Sequence, residues 1–246
     1  MVPKPVIETL DHAGITRVSR WIWNCYVIHE GPVVIDAGLP SAATDIAPII
    51  NDLGGSIHSI VATHGHSDHL AGAPAVADRY NAPILLPPRT LRYLAGEKPR
   101  NPGPIDQARV APVLRNQPLD WTAALGLLTG TRCAGFGLSP RMRWTGPTPS
   151  GELDDGAPLM GAPAWSVVAA PGHTDDSIAL WHPASGTLLS GDAVLTRSGR
   201  AWFTPELVDP HTAHQSNRRL RNLPVTTLLP GHGAPLSSDD VWQDCR

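Results

Sequence analysis

Short apolar runs alternate with segments of helical periodicity along the N-terminal third of the chain. Strands are expected where apolar residues alternate or cluster between turn signals, over residues 15–28, 33–38, 57–62 and 83–86. Helices are expected over 42–53, where isoleucine and leucine recur at close to helical spacing, and over 71–80. This order of strands and helices predicts an α/β fold.

The pattern changes between residues 97 and 150, where proline and arginine are frequent. Only residues 121–128 have a helical pattern in this segment. A structureless loop of this length is unusual in a compact domain unless it has a role or is disordered. We interpret the segment as an insertion that caps or flanks the functional site. The alternative is a mobile surface excursion.

The pattern of strands and helices resumes after this segment. Strands are expected over 164–170, 177–181, 187–190 and 226–229, with a helix over 210–223. Three of the strands end in turns that hold glycine and a histidine or an aspartate. These turns are Pro171-Gly172-His173-Thr174, Ser190-Gly191-Asp192 and Pro230-Gly231-His232-Gly233. Taken singly, each could be an ordinary turn.

The densest cluster of chemistry-bearing residues is Thr63-His64-Gly65-His66-Ser67-Asp68-His69, which follows the strand over 57–62. Residues two apart in extended chain face the same way, so His64 and His66 can present both imidazoles to one point. Asp68 and His69 follow on the turn into the next helix and can face a second point nearby. Imidazole and carboxylate are ligands that suit zinc and similar metals. The alternative is a polar loop with solvated histidines.

His64-x-His66-x-Asp68-His69, together with the three later turns, resembles the signature of the metallo-β-lactamase superfamily of hydrolases. Five of the 11 histidines fall in these motifs. The resemblance implies a single domain over 1–246 with a four-layer αββα sandwich, two sheets face to face and helices outside. It also implies a metal site at one edge of the sheets, where the strand ends converge.

The same resemblance implies a ligand for each of two metals. His64, His66 and His173 resemble the ligands of the first metal, and Asp68, His69 and His232 those of the second. Asp192 resembles the carboxylate that bridges both. The expected cofactor is two Zn²⁺ per chain, with iron or manganese as alternatives. A hydroxide shared by the metals would be the nucleophile.

Two aspartates have additional expected roles at this site, Asp68 in proton transfer and Asp36 in ordering the ligands. Asp68 would orient the hydroxide or pass a proton to the leaving group. Asp36 ends the strand over 33–38 and is expected to order a ligand histidine or its loop. A plain turn carboxylate is the alternative for Asp36.

The expected activity is hydrolysis of an ester, thioester, lactone or amide of a small molecule. Gly199-Arg200 is similar to thioesterases of the glyoxalase II type, and Trp202 and Phe203 follow where a substrate loop is expected; ordinary loop packing is the alternative. The chain departs from acyl-homoserine lactonases, which place a tyrosine shortly after the bridging aspartate. Three alternatives remain: a phosphodiesterase or nuclease on the same fold, a mononuclear-iron persulfide dioxygenase, and a non-catalytic binding module.

The composition of the chain limits the kinds of partner that it is expected to bind. Charged residues make up 17% of the 246 residues and the net charge is −3, so there is no basic field that would favour nucleic acid. No apolar run is long enough to cross a membrane, and residues 1–5 lack the apolar core of a secretory signal. We therefore expect a cytoplasmic enzyme with a small-molecule substrate. The three cysteines show no disulfide pattern, and the oligomeric state is not indicated.

Overall fold

The first of two large sheets is built mainly from the N-terminal part of the chain. The computed structural model describes residues 3–115 and 119–245, and its strands are numbered here in chain order. Seven strands form this sheet in the spatial order β1 (Val6–Leu10), β2 (Ile15–Arg20), β3 (Trp23–Ile28), β4 (Val33–Ile35), β5 (Ser59–Val61), β6 (Ile84–Leu86) and β9 (Gly151–Glu152). Strands β1 to β4 are antiparallel neighbours, and β4, β5, β6 and β9 run parallel.

The second sheet has six strands from the C-terminal part. Its spatial order is β10 (Pro158–Leu159), β11 (Ala162–Ala169), β12 (Ile178–His182), β13 (Thr187–Gly191), β16 (Thr227–Pro230) and β17 (Leu236–Ser237). Within this sheet β13 and β16 are parallel and the other neighbours antiparallel. Two small ribbons pair β7 (Ala134–Gly135) with β8 (Arg143–Trp144) and β14 (Val194–Arg197) with β15 (Arg200–Phe203).

Eight α-helices connect the strands within the described residues. They are α1 (Ala42–Asp45), α2 (Ala47–Asp52), α3 (Ser67–Leu70), α4 (Ala73–Tyr80), α5 (Pro88–Leu94), α6 (Pro104–Arg109), α7 (Trp121–Gly130) and α8 (Pro210–Arg221). Short 3₁₀ helices span Asp11–Ala13, Ala111–Arg115 and Pro183–Ser185. In this part of the chain, no helix is both long enough and apolar enough to span a lipid bilayer.

The two sheets pack face to face because their side chains alternate with the two-residue period of a strand. On β3, Tyr26 and Ile28 lie in the core between the sheets, whereas Cys25 and Val27 face outward. Helices α1, α2 and α4 cover that outward face, and α8 covers the outer face of the second sheet through Leu220. The result is the four-layer αββα sandwich that the sequence predicts, so the fold prediction is confirmed.

Two local predictions are wrong in detail. The single strand expected over 15–28 is two strands, because Trp21 adopts a left-handed backbone with φ of 51° and reverses the chain between β2 and β3. The helix expected over 42–53 is broken at Ile46 into α1 and α2. The alternating apolar pattern is the same on both sides of the β2–β3 turn, which hid the break from sequence reasoning.

The segment 97–150 contains more regular structure than its sequence suggests. The helix expected over 121–128 is α7, but α6 and the 3₁₀ helix Ala111–Arg115 had no clear pattern. The inner side of α7 packs Ala123 and Leu127 toward Trp23, while Leu125 and Leu128 on its outer side are exposed. The N-cap of α7 is tied to the first sheet by Arg20.

Candidate metal centre

All seven predicted donors lie where strands of the two sheets end. The loop between β5 and α3 carries His64 and His66, and α3 itself carries Asp68 and His69. His173, Asp192 and His232 follow β11, β13 and β16, respectively. The structure therefore brings together residues that are far apart in the sequence.

His64, His66 and His173 form the first group. One ring nitrogen from each lies within 4.8 Å of the others, and all three rings are buried. Nε2 of His173 lies 3.2 Å from Nδ1 of His66. Such a group of imidazole nitrogens matches the donor set of a metal site.

Asp68, His69 and His232 form the second group, again with their donor atoms within 4.8 Å. Nε2 of His232 lies 3.3 Å from Oδ2 of Asp68. Asp192 lies between the groups, because its Oδ2 is 3.1 Å from Nε2 of His232 and 3.7 Å from Nε2 of His173. Its Oδ1 is 3.4 Å from Nε2 of His69. This position suits a carboxylate that bridges two ions.

Hydrogen bonds outside the centre fix which nitrogen points inward in three of the five rings. Nδ1 of His173 donates to the carbonyl of Glu206 at 2.9 Å, and Nδ1 of His232 donates to the carbonyl of Ile22 at 2.9 Å. Nδ1 of His69 donates to Oδ2 of Asp36 at 2.9 Å. In the neutral rings Nε2 is then an unprotonated lone pair directed into the centre, as in protein metal sites.

Several of these inward atoms have no hydrogen bond in the protein. Nε2 of His64 and of His69 and Oδ1 of Asp192 are buried and have no hydrogen-bond partner among the described residues. A buried polar atom without a partner costs about 1–3 kcal/mol, and natural proteins rarely accept several together. Divalent cations would satisfy all three atoms at once, so the residues fit the metals that the motif implies.

The electrostatics of the two groups differ. Burial, and then neighbouring imidazoles, lower the pKa of His64 and bring the pKa of His66 to about 3, so both rings are neutral at pH 7. Burial alone would lower the pKa of His232 as well, but Asp192 and Asp68 outweigh it and raise that pKa to about 10. The second group therefore attracts positive charge, which metal ions would supply in place of protons.

Asp36 organises the loop behind the donors. Besides accepting from His69, it accepts from the backbone N–H of Thr63 at 2.7 Å and from the Thr63 hydroxyl at 2.9 Å. That hydroxyl oxygen is 3.2 Å from Nδ1 of His64 and can accept its proton. Asp36 thus contacts both the loop, at Thr63, and helix α3, at His69. A residue that orders a ligand histidine and its loop would need both contacts.

A model of the family described as "Metallo-beta-lactamase superfamily" matches residues 20–232. The chain belongs to this superfamily. The predicted resemblance is confirmed, and members of the superfamily are metallo-hydrolases that bind divalent metals in binuclear sites. The chain is accordingly an enzyme of the metallo-hydrolase class.

Individual superfamily members are similar over most of the chain. "Probable metallo-hydrolase YflN" of Bacillus subtilis is 25% identical, over 94% of this chain and 88% of its own length. "Hydroxyacylglutathione hydrolase" of Rhodobacter capsulatus is 26% identical, over 89% of this chain and 63% of its own length. The crystal structure of TTHA1623 in a di-iron-bound form shares the fold with a TM-score of 0.57 at 24% identity, covering 90% of this chain and 92% of that one.

A cavity of about 320 Å³ opens beside this superfamily's metal motif. Asp68, His66, His173, Asp192 and His232 form part of its floor. Its walls come largely from the segment 97–150, the insertion that is expected from the sequence to cap or flank the site, although no individual wall residue in it was predicted. The residues that form them are Ile22, Trp23, Gln107, Val110, Ala111, Val113, Leu114, Leu127, Phe136, Gly137, Leu138, Leu195 and Glu206.

Trp23 and Glu206 are the most informative of the residues that the sequence did not reveal. The indole Nε1 of Trp23 donates to Oδ2 of Asp68 at 3.2 Å. Glu206 lines the cavity, and burial raises the pKa of its carboxyl. Neither residue belongs to a recognisable motif. Trp23 is one of 8 tryptophans, and its position at the start of β3 was the only available signal.

Arg200, Trp202 and Phe203, the predicted substrate contacts, are not among the described residues that line this cavity. Phe203 stacks on Trp242 with ring centroids 5.7 Å apart, in the core under α8. Arg200 is exposed and lies 3.9 Å from Asp244. The β14–β15 ribbon presents Leu195 to the cavity, and Trp202, which is paired with Leu195, packs against the apolar cluster that also contains Ile22 and Trp23. The substrate-binding role of these three residues stays a prediction.

Proposed function

We propose that the chain is a binuclear metal-dependent hydrolase that cleaves an ester, thioester, lactone or amide of a small molecule. The observation that carries the proposal is the convergence of seven donors, six of them buried, beside a largely apolar cavity whose floor includes five of them. The similarity to a hydroxyacylglutathione hydrolase supports a thioester among these substrates, since that relative is named for such an activity.

The ligand roles follow the two groups of donors. His64, His66 and His173 would hold one Zn²⁺, and Asp68, His69 and His232 would hold the other, with Asp192 between them. Nitrogen and oxygen donors of this kind suit zinc. When bound, the ions would lower the pKa of a water molecule and polarise the carbonyl oxygen of the substrate.

Asp68 is the residue we propose to handle protons. Its side chain is 25% exposed, compared with 7% for Asp192, so it is the carboxylate that a substrate can reach. Trp23 and His232 both lie against its Oδ2 and hold it in one orientation. A carboxylate fixed at the cavity floor can orient the attacking water or carry a proton to the leaving group.

The segment 97–150 would act as a cap. Backbone hydrogen bonds join Phe136 to Gly65 and Ser67, within the loop that carries the donors. Side chains from α6 and α7, and from the segments that follow α6 and β7, enclose one side of the cavity and would exclude water there. The cap is part of the same domain in this proposal.

The cavity favours a carbonyl substrate over the phosphodiester alternative. No lysine or arginine is among the described residues that line it. A phosphodiester is anionic, and burying an anion without a cationic partner is costly. Bound metals could neutralise part of that charge, but the apolar walls offer no contact to the flanking groups of a nucleic acid.

The test begins with metal content per chain, measured by elemental analysis of protein purified without added metal. We expect close to two zinc ions. The same protein is then offered thioesters, oxygen esters, lactones, β-lactams and phosphodiesters. We expect turnover of at least one carbonyl substrate, and loss of at least about 100-fold in kcat/KM when Asp68 is replaced, Asp68→Asn.

Three results would contradict the proposal. One iron and no zinc per chain would favour the alternative function, a mononuclear-iron persulfide dioxygenase. No metal, with none taken up on soaking, would mean that the donors do not form a metal site. Two metals with turnover of phosphodiesters alone would replace the carbonyl substrate by a phosphoryl one.

A further inference from the structure

The cavity has a polar floor and an apolar wall. The wall on the cap side is formed by Val110, Val113 and Leu127, with Phe136 and Leu138 at the other end of the segment. Val113 and Leu127 also pack with Ile22, Trp23 and Leu195 of the main body in one apolar cluster. This wall can bury apolar substrate surface directly beside the reacting carbonyl.

The size of the cavity limits what it can hold. Its volume of about 320 Å³ lies at the lower end of the range for small-molecule sites. At roughly 30 Å³ for each group of the size of a water molecule, it takes about ten such groups. The part of the occupant that lies inside the cavity is therefore a short chain or a single ring.

The charges around the cavity exclude anions from its apolar part. Its described lining contains no arginine or lysine that could pair with a carboxylate or phosphate. Glu206 adds a further carboxyl group, and no hydrogen bond or ion pair to its side chain is formed by another described residue. A negatively charged substituent would be desolvated there without a partner and would be repelled by Glu206.

From the wall, the size and the charges, we infer that the substrate carries a short, uncharged apolar group beside the scissile carbonyl. The cap supplies the subsite for this group, and Glu206 discriminates against anionic analogues. The inference rests on the proposed function, since it names the substrate class of the same site.

The test uses thioesters of one thiol with acetyl, butanoyl, hexanoyl and glutaryl groups and the metal-loaded protein. Each buried CH₂ is worth about threefold to fourfold in binding, so kcat/KM is expected to rise by at least about 30-fold from acetyl to hexanoyl. Glutaryl, which has a similar length but a terminal carboxylate, is expected to react at least about tenfold more slowly than hexanoyl.

Variants in α7 separate the subsite from general effects on the cap. Leu127→Ala enlarges the cavity and is expected to lower the hexanoyl-to-acetyl ratio about tenfold. Leu128→Ala is the matched control, because Leu128 is the next residue on the same helix, is 59% exposed and does not line the cavity. It should leave the ratio unchanged. Leu127→Trp makes the cavity smaller instead of larger and should also favour acetyl. The second variant therefore changes the size of the same wall in the opposite direction.

Glu206→Gln tests the discrimination against anions. We expect the hexanoyl-to-glutaryl ratio to fall at least fivefold. Metal content and the thermal midpoint are measured for every variant, so that a misfolded protein is recognised. An acetyl-to-hexanoyl series that is flat, or equal effects of Leu127→Ala and Leu128→Ala, would overturn the apolar subsite.

Binding of the product acids distinguishes failure of this inference from failure of the proposed function. If the metal-loaded protein hydrolyses none of the thioesters, hexanoate, acetate and glutarate are titrated by calorimetry. Hexanoate binding at least tenfold tighter than both others would support the apolar subsite, although the proposed reaction would be wrong for these thioesters. Equal affinities would overturn the subsite as well.

Discussion

At the scale of single residues, Asp36 is not a candidate metal ligand itself but orients one, the imidazole of His69. Its backbone is left-handed, with φ of 56°, and its carboxylate accepts from Thr63 and from Nδ1 of His69. The left-handed conformation places the carboxylate under the loop, and the hydrogen bond selects the tautomer of His69 whose Nε2 faces the centre.

Asp36→Asn is expected to lower metal affinity about 10- to 100-fold. Asparagine tolerates the left-handed backbone, so the loop keeps its path. An amide N–H facing Nδ1 of His69 would, however, leave the ring proton on Nε2. Competition with a chelator measures the affinity, and Asp52→Asn, an exposed carboxylate at the end of α2, is the control. Unchanged metal affinity in Asp36→Asn would contradict the positioning role.

At the scale of elements, α7 is held by its N-terminus. Asp120 caps the helix, because its Oδ1 accepts from the backbone N–H groups of Thr122 and Ala123 at 3.0 and 3.1 Å. Its Oδ2 lies 3.3 Å from Nη1 of Arg20. The guanidinium of Arg20 also forms a bidentate ion pair with the carboxylate of Asp45, with N–O distances of 2.6 and 2.7 Å. One side chain therefore joins the cap to the first sheet.

Asp120→Ala is expected to destabilise the protein by about 1–2 kcal/mol through loss of the N-cap, whereas Asp120→Asn should cost less because it still accepts from the helix. Urea unfolding measures the difference. If both variants unfold at the wild-type urea concentration, the helix is not held in this way.

The Asp120 carboxyl also predicts a pH dependence. Burial would raise its pKa, but hydrogen bonds from Thr122 and Ala123 and the charge of Arg20 together lower it. A carboxyl whose pKa is lower in the folded protein stabilises the fold above its ordinary pKa of about 4, and the contribution is lost as pH falls through the folded value. The stability gap between wild type and Asp120→Asn should therefore close below pH 4. A gap that is constant from pH 7 to pH 3 would contradict the charge contribution.

Two glycines of α7 give opposite predictions. A Cβ at Gly126 would meet no atom within 4 Å, and Gly130 would place its Cβ 2.9 Å from Cβ of Ala71. Gly126→Ala is expected to stabilise the protein by about 1 kcal/mol, because alanine restricts the unfolded chain and favours helix. Gly130→Ala should destabilise it, since α7 must move away from α3. Urea unfolding measures the free energy of unfolding of both variants. A loss of stability in Gly126→Ala would mean that the surroundings of Gly126 are not open.

At the scale of the whole molecule, the metal centre joins the two sheets. Donors from the loop after β5 meet donors that follow β11, β13 and β16, so bound ions would cross-link both halves of the sandwich. A ligand that binds only the folded state stabilises it, by about 4 kcal/mol when its concentration is 1,000 times its dissociation constant.

Removal of metal with a chelator is therefore expected to lower the thermal midpoint by several degrees, and adding zinc back should restore it. In His173→Ala, which lacks one donor of the first group, both responses should be smaller than in the wild-type protein. If wild-type protein had the same midpoint with and without chelator, the ions would not connect the two halves.

Through the resemblance of its motifs, the sequence by itself predicted the αββα sandwich, which is confirmed, and the seven candidate donors, which the structure brings together. Strand periodicity and glycine turns are local properties, and the motifs that hold the donors follow apolar runs, so the motifs could be assigned to strand ends without knowing how the strands pair. The Asp36 contact could also be anticipated, because it lies at the end of a neighbouring parallel strand.

Only the tertiary structure decided what surrounds the donors. Phe136 reaches the loop of His66 by backbone pairing across about 70 residues, and Trp23 and Glu206 come from opposite halves of the chain. Such contacts depend on how distant elements pack, which no local period encodes. For the same reason Arg200, Trp202 and Phe203 lie near Asp192 along the chain, whereas Leu195 is the described residue of the β14–β15 ribbon that lines the cavity.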